Sequence, residues 1–262
     1  MAEVIVVGSR TAAGALVAEA IERLVAQKPD AVLGLATGDT PLPVYRALAE
    51  RVRAGLDLGA VRGFALDEYV GLPVAHPQSY HSVIANEVVR PLKLDPAAVH
   101  VPDGRTLGIE TAGERYEAAI LAAGGIDLQL LGIGTDGHIG FNEPGSSFAS
   151  LTRVKTLTRQ TRDDNARFFD SADEVPVHSI TQGLGTILRA KRLVLLAFGA
   201  GKARAVAAAV EGPLTASVPA SAIQLHPRAT VVVDEEAASA LAEIDYYREA
   251  FALKPIWDPV IL

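Results

Sequence analysis

Short, nearly unbroken apolar runs recur along the chain. Between them lie helix-length segments whose apolar residues return every three or four positions. The runs at 4–7, 31–36, 61–66, 126–131, 192–198 and 230–233 predict strands. Continuous rather than alternating hydrophobicity marks strands covered on both faces. The segments at 11–27, 41–54, 79–89, 109–123, 178–190, 202–210 and 235–241 predict helices. Strand and helix in alternation imply an α/β fold. The expected architecture is a single domain over 1–262 with a doubly wound, mainly parallel, Rossmann-like sheet and helices on both faces. One stretch breaks the rhythm. Residues 143–176 are polar and charged, with Arg153, Lys155, Arg159, Arg162, Asp163, Asp164 and Arg167. Long segments of this kind in compact domains are often lids or binding loops. A lid is expected over about 156–176, with a helical piece around 163–169.

Composition narrows the picture. The 262 residues are 49% hydrophobic and 21% charged, an ordinary globular balance. With 24 basic and 31 acidic residues the net charge is −7. That balance argues against a nucleic-acid surface, which needs a basic stripe. There is no cysteine, so disulfides, thiolate catalysis and cysteine-ligated zinc are excluded. The chain opens on a strand-like Val4-Ile5-Val6-Val7 rather than a leader, and no apolar run approaches the roughly 20 residues of a membrane helix. A cytoplasmic protein that engages no membrane is expected.

Four motifs follow four of the strands. The densest is Leu130-Leu131-Gly132-Ile133-Gly134-Thr135-Asp136-Gly137-His138-Ile139-Gly140-Phe141-Asn142-Glu143-Pro144. It sets a histidine between two carboxylates in a loop whose glycines permit sharp turns and close approach to a ligand. A histidine oriented by Asp136 or Glu143 can carry a proton either way near neutral pH. The six histidines show no metal-ligand spacing with a carboxylate at i, i+4. In Gly34-Leu35-Ala36-Thr37-Gly38-Asp39-Thr40-Pro41 a strand gives way to a helix, with Thr40 as the expected N-cap and Pro41 as the first helical residue. Such an end is an anion site, or simply a capped turn; Asp39 is awkward beside a phosphate. Asp67 and Glu68 end a third strand in Leu66-Asp67-Glu68-Tyr69, where one should face the crevice as a general base and the other should not. Gly199-Ala200-Gly201-Lys202 follows a fourth strand, with Lys202 placed to reach an anion; Arg167 on the lid is a second cation. Together they describe a crevice with a phosphate end (Thr37, Gly38, Thr40, Lys202) and an acid/base end (Asp67, Asp136, His138, Glu143).

These motifs, with HPQSYHSVI, TRVKTLT, VPVHSITQGLGTIL and QLHP, resemble the glucosamine-6-phosphate deaminase (glucosamine-6-phosphate isomerase) family, in order from about residue 34 to about 236. The resemblance implies conversion of glucosamine 6-phosphate and water into fructose 6-phosphate and ammonium, a hydrolytic deamination with isomerase-type proton transfer in amino-sugar catabolism. It implies that Asp67 moves a proton between C2 and C1 through an enolamine. His138 opens the pyranose ring, oriented by Asp136 and Glu143, while Thr37, Gly38, Thr40, Arg167 and Lys202 grip the phosphate and substrate. No metal or organic cofactor is implied, and a small-molecule sugar phosphate is the partner. Ser146, Arg153 and Lys155 resemble the effector site of relatives that are hexamers activated by N-acetylglucosamine 6-phosphate. The same residues occur in relatives without that regulation, so both activation and a homo-oligomer are left open. Asp39 stands where the family usually has a small residue, and the tail 246–262, with Lys254-Pro255-Ile256-Trp257, has no match.

The competing readings are a 6-phosphogluconolactonase-like hydrolase, a sugar-phosphate sensor, and a deaminase of another hexosamine phosphate such as the galactosamine epimer. The carboxylate of Asn142-Glu143-Pro144 separates the deaminases from the lactonases, which lack it. A sensor would carry a DNA-binding segment ahead of a first strand that here begins at Val4, and it has little need of Asp67, His138 and Glu143 together.

Overall fold

The computed structural model describes residues 2–255 and 261. Seven strands form one parallel sheet in the spatial order β1 (Glu3–Val7), β10 (Ala229–Asp234), β9 (Leu193–Ala197), β6 (Leu128–Leu131), β2 (Val32–Leu35), β3 (Arg62–Ala65) and β5 (Val99–His100). The helices are α1 (Arg10–Gln27), α2 (Leu42–Arg53), α3 (Tyr80–Ile84), α4 (Arg90–Leu92), α5 (Ile109–Ala122), α6 (Arg159–Asn165), α7 (Leu184–Leu188), α8 (Ala203–Val210) and α9 (Ile244–Ala252). The central strands are buried along their whole length, which is why their sequences are apolar without alternation. From β2 the chain steps outward through β3 to β5. From β6 it steps the other way, through β9 to β10. The neighbours β2 and β6 therefore flank the point where strand order reverses, and open α/β sheets keep their ligand crevice at such a point, beyond the carboxyl ends of the strands.

Close contacts fix the layers. Gly34 of β2 stands in register with Gln129 of β6, and a Cβ on Gly34 would fall 2.1 Å from the Gln129 amide oxygen. Gly14 lets α1 press against α2, where a Cβ would meet the Pro43 carbonyl oxygen at 2.4 Å. At the opposite end of the sheet from the crevice, the buried Asp127 receives Lys28 at 2.6 Å, Lys191 at 2.7 Å and the Val32 amide at 2.8 Å. Burial opposes its charge, yet these donors hold its carboxyl below the usual range.

Several expected elements are corrected. A second, three-stranded antiparallel sheet in the order β4 (Asp67–Tyr69), β8 (His178–Thr181) and β7 (Arg153–Thr156) stands beside the first. The segment 178–190 is therefore a strand followed by the short α7, not one helix. Its apolar residues satisfy a helical period, but Ser179, Ile180 and Thr181 pair on both sides. Ser150 and Leu151 carbonyls also lie 2.1 and 2.5 Å from where a Gly183 Cβ would be. Residues 235–241 form turns, because the Asp234 carboxylate accepts from the Ala237 and Gly199 amides; the helix comes later, as α9. Segment 79–89 is helical, with a π-helical turn at Ala85–Val89 between α3 and α4. The two-residue β5 was too short to signal itself. No helix of the described residues is long and apolar enough to cross a membrane. Part of the tail 246–262, namely 256–260 and 262 with Trp257, lies outside the described residues.

Candidate active site

A cavity of about 330 Å³ opens beyond β9, β6, β2 and β3, which are adjacent in the sheet. Thr37, Gly38, Thr40, Asp67, His138, Arg167 and Lys202 all line it. Asp136 and Glu143 stand behind His138 rather than on the wall.

The histidine loop is built from its glycines. The imidazole packs where a Cβ on Gly134 would be, 2.3 Å from ring atoms, so only glycine accepts the ring there. Gly134 N–H donates to the His138 carbonyl at 2.9 Å and closes the turn. Asp136 Oδ1 lies 2.7 Å from His138 Nδ1 and accepts the His138 amide at 3.1 Å. Burial opposes the Asp136 charge, but the imidazole holds its carboxyl well below the usual range, so it is ionised beside the ring. Glu143 is almost fully buried and divides its oxygens. Oε1 accepts the Thr158 amide at 3.0 Å; Oε2 has no hydrogen bond and lies 3.9 Å from His138 Nδ1. The donor atoms of Asp136, His138 and Glu143 fall within 4.8 Å of one another, so these are the residues that could hold a cation. The 2.7 Å contact of Asp136 with Nδ1 already sets the ring against this pair of carboxylates.

Asp67 and Glu68 part at the first residues of β4. The strand leaves the main sheet at Leu66, whose amide donates to the Leu35 carbonyl while its own carbonyl accepts from Gln182. Glu68 turns away and accepts the amides of Tyr69, Tyr80 and His81, which caps α3. Asp67 turns into the cavity. Its carboxyl is pushed up to about 8, first by burial and then by the neighbouring Glu68. Gly140 brings the histidine loop against it: a Cβ there would sit 3.5 Å from Asp67 Oδ2 and 2.9 Å from Thr181 Oγ1. A carboxyl raised by burial and an imidazole held by Asp136 thus share one wall, an arrangement suited to moving protons.

The other end is basic. The loop 37–40 turns at Gly38, whose φ of +80° is the left-handed region glycine favours. The N-cap is corrected here: α2 begins at Leu42, and Pro41, not Thr40, occupies the cap without a side-chain bond. Pro41 and Pro43 offer no N–H, so the start of α2 has fewer free amides for an anion than a typical helix end. Lys202 follows β9 and is half-buried, which pulls its ammonium below the usual range. Arg167 arrives from the segment after β7, where α6 and a 3₁₀ turn at Ala166–Phe168 cover the cavity with Thr161, Asp164, Asn165 and Phe168. Thr135 Oγ1 donates to Asp164 at 2.9 Å, and Phe169 packs between Tyr69 and His76 at ring distances of 5.6 and 6.1 Å.

Ser146, Arg153 and Lys155 do not reach the cavity. Ser146 Oγ donates to the Glu143 carbonyl at 2.7 Å and Arg153 to Asn142 Oδ1 at 2.8 Å, so both brace the outgoing limb of the histidine loop. Lys155 lies on β7 opposite Ser179. Sequence reasoning missed Tyr80, which lines the wall and stacks on Phe141 with ring centres 6.0 Å apart. Its one signal was the position just after Ser79, an N-cap.

Residues 9–233 match the family described as glucosamine-6-phosphate isomerases/6-phosphogluconolactonase. A glucosamine-6-phosphate deaminase of Streptomyces coelicolor is 60% identical, covering 98% of this chain and all of that one. One of Bifidobacterium longum subsp. infantis is 58% identical over 99% of this chain and all of its own length. Among solved structures, a monomeric glucosamine-6-phosphate deaminase superposes with a TM-score of 0.88 at 41% identity, covering 91% of this chain and 99% of the other. A 6-phosphogluconolactonase from Leishmania guyanensis, at 22% identity and TM-score 0.73 over 92% and 99%, shares the fold. The chain therefore belongs to the glucosamine-6-phosphate isomerase/6-phosphogluconolactonase family, among its glucosamine-6-phosphate deaminases.

Proposed function

We propose that the chain deaminates glucosamine 6-phosphate, releasing fructose 6-phosphate and ammonium. The observation that carries the reading is one cavity that joins Asp67 and the Asp136–His138–Glu143 cluster to a basic end built from the loop 37–40, Arg167 and Lys202. The phosphate docks at that basic end and orients the sugar. This remote binding is what makes the reacting carbons line up with Asp67. His138 takes the proton of the anomeric hydroxyl and returns it to the ring oxygen, which opens the ring. Asp136 and Glu143 hold the imidazole and balance its charge in transit. Asp67 then removes the C2 proton and delivers it to C1, passing through an enolamine. The product of that transfer is an imine at C2. Water adds to it and ammonia leaves, so one water is consumed per ammonium formed. An empty site favours the protonated carboxyl at Asp67; the substrate's ammonium beside it favours the carboxylate needed as base. The covering segment around α6 excludes bulk water from the enolamine.

Ser146 and Arg153 belong to the proposal as a route for an effector, since both are bonded to the limb that carries Glu143. The reaction is placed in the cytoplasm, where phosphorylated sugars are made and retained. The deciding assay follows ammonia and fructose 6-phosphate from glucosamine 6-phosphate, with and without N-acetylglucosamine 6-phosphate, beside the galactosamine epimer and 6-phosphogluconolactone. Stoichiometric ammonia and ketose are expected. Lactone hydrolysis without ammonia release would overturn the reading.

A further inference from the structure

The basic end of the cavity contains an acid that phosphate binding does not require. Lys202 and Arg167 both reach this end, and each already has an acidic neighbour. Asp164 acts on the charge of Lys202 and is itself held by Thr135 Oγ1 and the Gln160 amide, each at 2.9 Å. Asp39 sits within the loop 37–40, on the cavity wall, with Oδ2 3.3 Å from Arg167 Nη2. Among the described residues, Arg167 is the only hydrogen-bonding or ion-pair partner of the Asp39 side chain. Asp39 caps no helix and closes no turn. Both members of the pair are more than half exposed, so the contact adds little to stability. Its effect falls on whatever anion comes to Arg167. A carboxylate there repels a dianion and stands within 3.3 Å of a guanidinium nitrogen that a phosphate would use.

We propose that Asp39 is a specificity-determining residue of the phosphate end: its carboxylate competes with the incoming phosphate for Arg167 and holds substrate affinity below what the loop, Lys202 and Arg167 alone would give. The inference rests on the reading above that a phosphate enters here. Binding is then an exchange, in which Arg167 releases one anion as it takes another.

Asp39→Asn keeps the size and polarity of the side chain and removes its charge; Asp39→Glu keeps the charge. Calorimetric titration of the full chain with inorganic phosphate needs no turnover. The Asn variant is expected to bind phosphate about three- to fivefold more tightly than wild type, the upper scale of a half-exposed charge contact. The Glu variant should stay within about twofold of wild type on the same scale. Raising the salt to about 0.5 M should shrink the gain, because screening then acts within a few ångströms. The KM for glucosamine 6-phosphate should fall in parallel. Equal phosphate affinity in wild type and the Asn variant overturns the role of Asp39 and leaves the deaminase reading standing. A gain of the same size in the Glu variant also overturns it, since charge is then not the cause. Phosphate bound by no variant, together with no ammonia released, overturns both.

Discussion

Asp67, the proposed base, has its carboxyl raised by the same burial that makes it costly. Its carboxyl holds a proton up to about pH 8 in the folded chain, against an ordinary value near 3.8. In the free enzyme the base form grows as pH rises through that value. The kcat/KM profile should therefore climb about tenfold per pH unit on its acid side and level off near 8. Asp67→Asn should lower kcat by about 10²- to 10⁴-fold while substrate still binds, as ammonia release and a binding titration would show. Stability should move the other way. A raised carboxyl contributes stability that is complete below pH 4 and lost as pH climbs to about 8. The Asn variant should match wild type in melting temperature near pH 4 and exceed it at pH 9. Lys202→Ala should raise KM about 10- to 100-fold and kcat by less, since the ammonium holds phosphate equally before and during the chemistry. Unchanged KM would remove Lys202 from the site.

The segment after β7 shows how far element-level reading goes. Its polar composition suggests a cover, and residues of α6 and the turn after it line the cavity. What composition could not give was the anchor, because Phe169 is held by Tyr69 and His76, almost a hundred residues earlier. Phe169→Ala should speed amide exchange across 159–168 without touching β6, and should raise KM about three- to tenfold as ordering the cover becomes part of binding. The same limit explains the other differences. The buried parallel strands are legible because each is apolar on its own. The β4–β8–β7 sheet is not, because Ser179 and Thr181 read as strand residues only when Asp67 and Arg153 lie beside them. The proposed site residues come from local motifs, since glycines and acids cluster where strands end. Tyr80 does not, since its role comes from Phe141 across the wall.

At the scale of the molecule, the two ends of the sheet have separate duties. The candidate site gathers at the carboxyl ends of β3, β2, β6 and β9, and buried Asp127, paired with the more exposed Lys28 and Lys191, ties the far end together. Asp127 has a lowered carboxyl, so its contribution is present above pH 4 and is lost as acid protonates it. Asp127→Asn should cost about 1–3 kcal/mol at pH 7 in denaturant unfolding, leave KM within twofold, and flatten the acid limb of the stability profile. A shift in KM as large as that of Lys202→Ala would mean the ends are not independent.

Glu143 gives one oxygen to the Thr158 amide, at the start of α6, and turns the other toward His138. The cover and the histidine thus share one buried carboxylate. A displacement of α6 that carried the Thr158 amide with it would release the Oε1 side of Glu143, so the position of the cover and the setting of the imidazole are expected to change together.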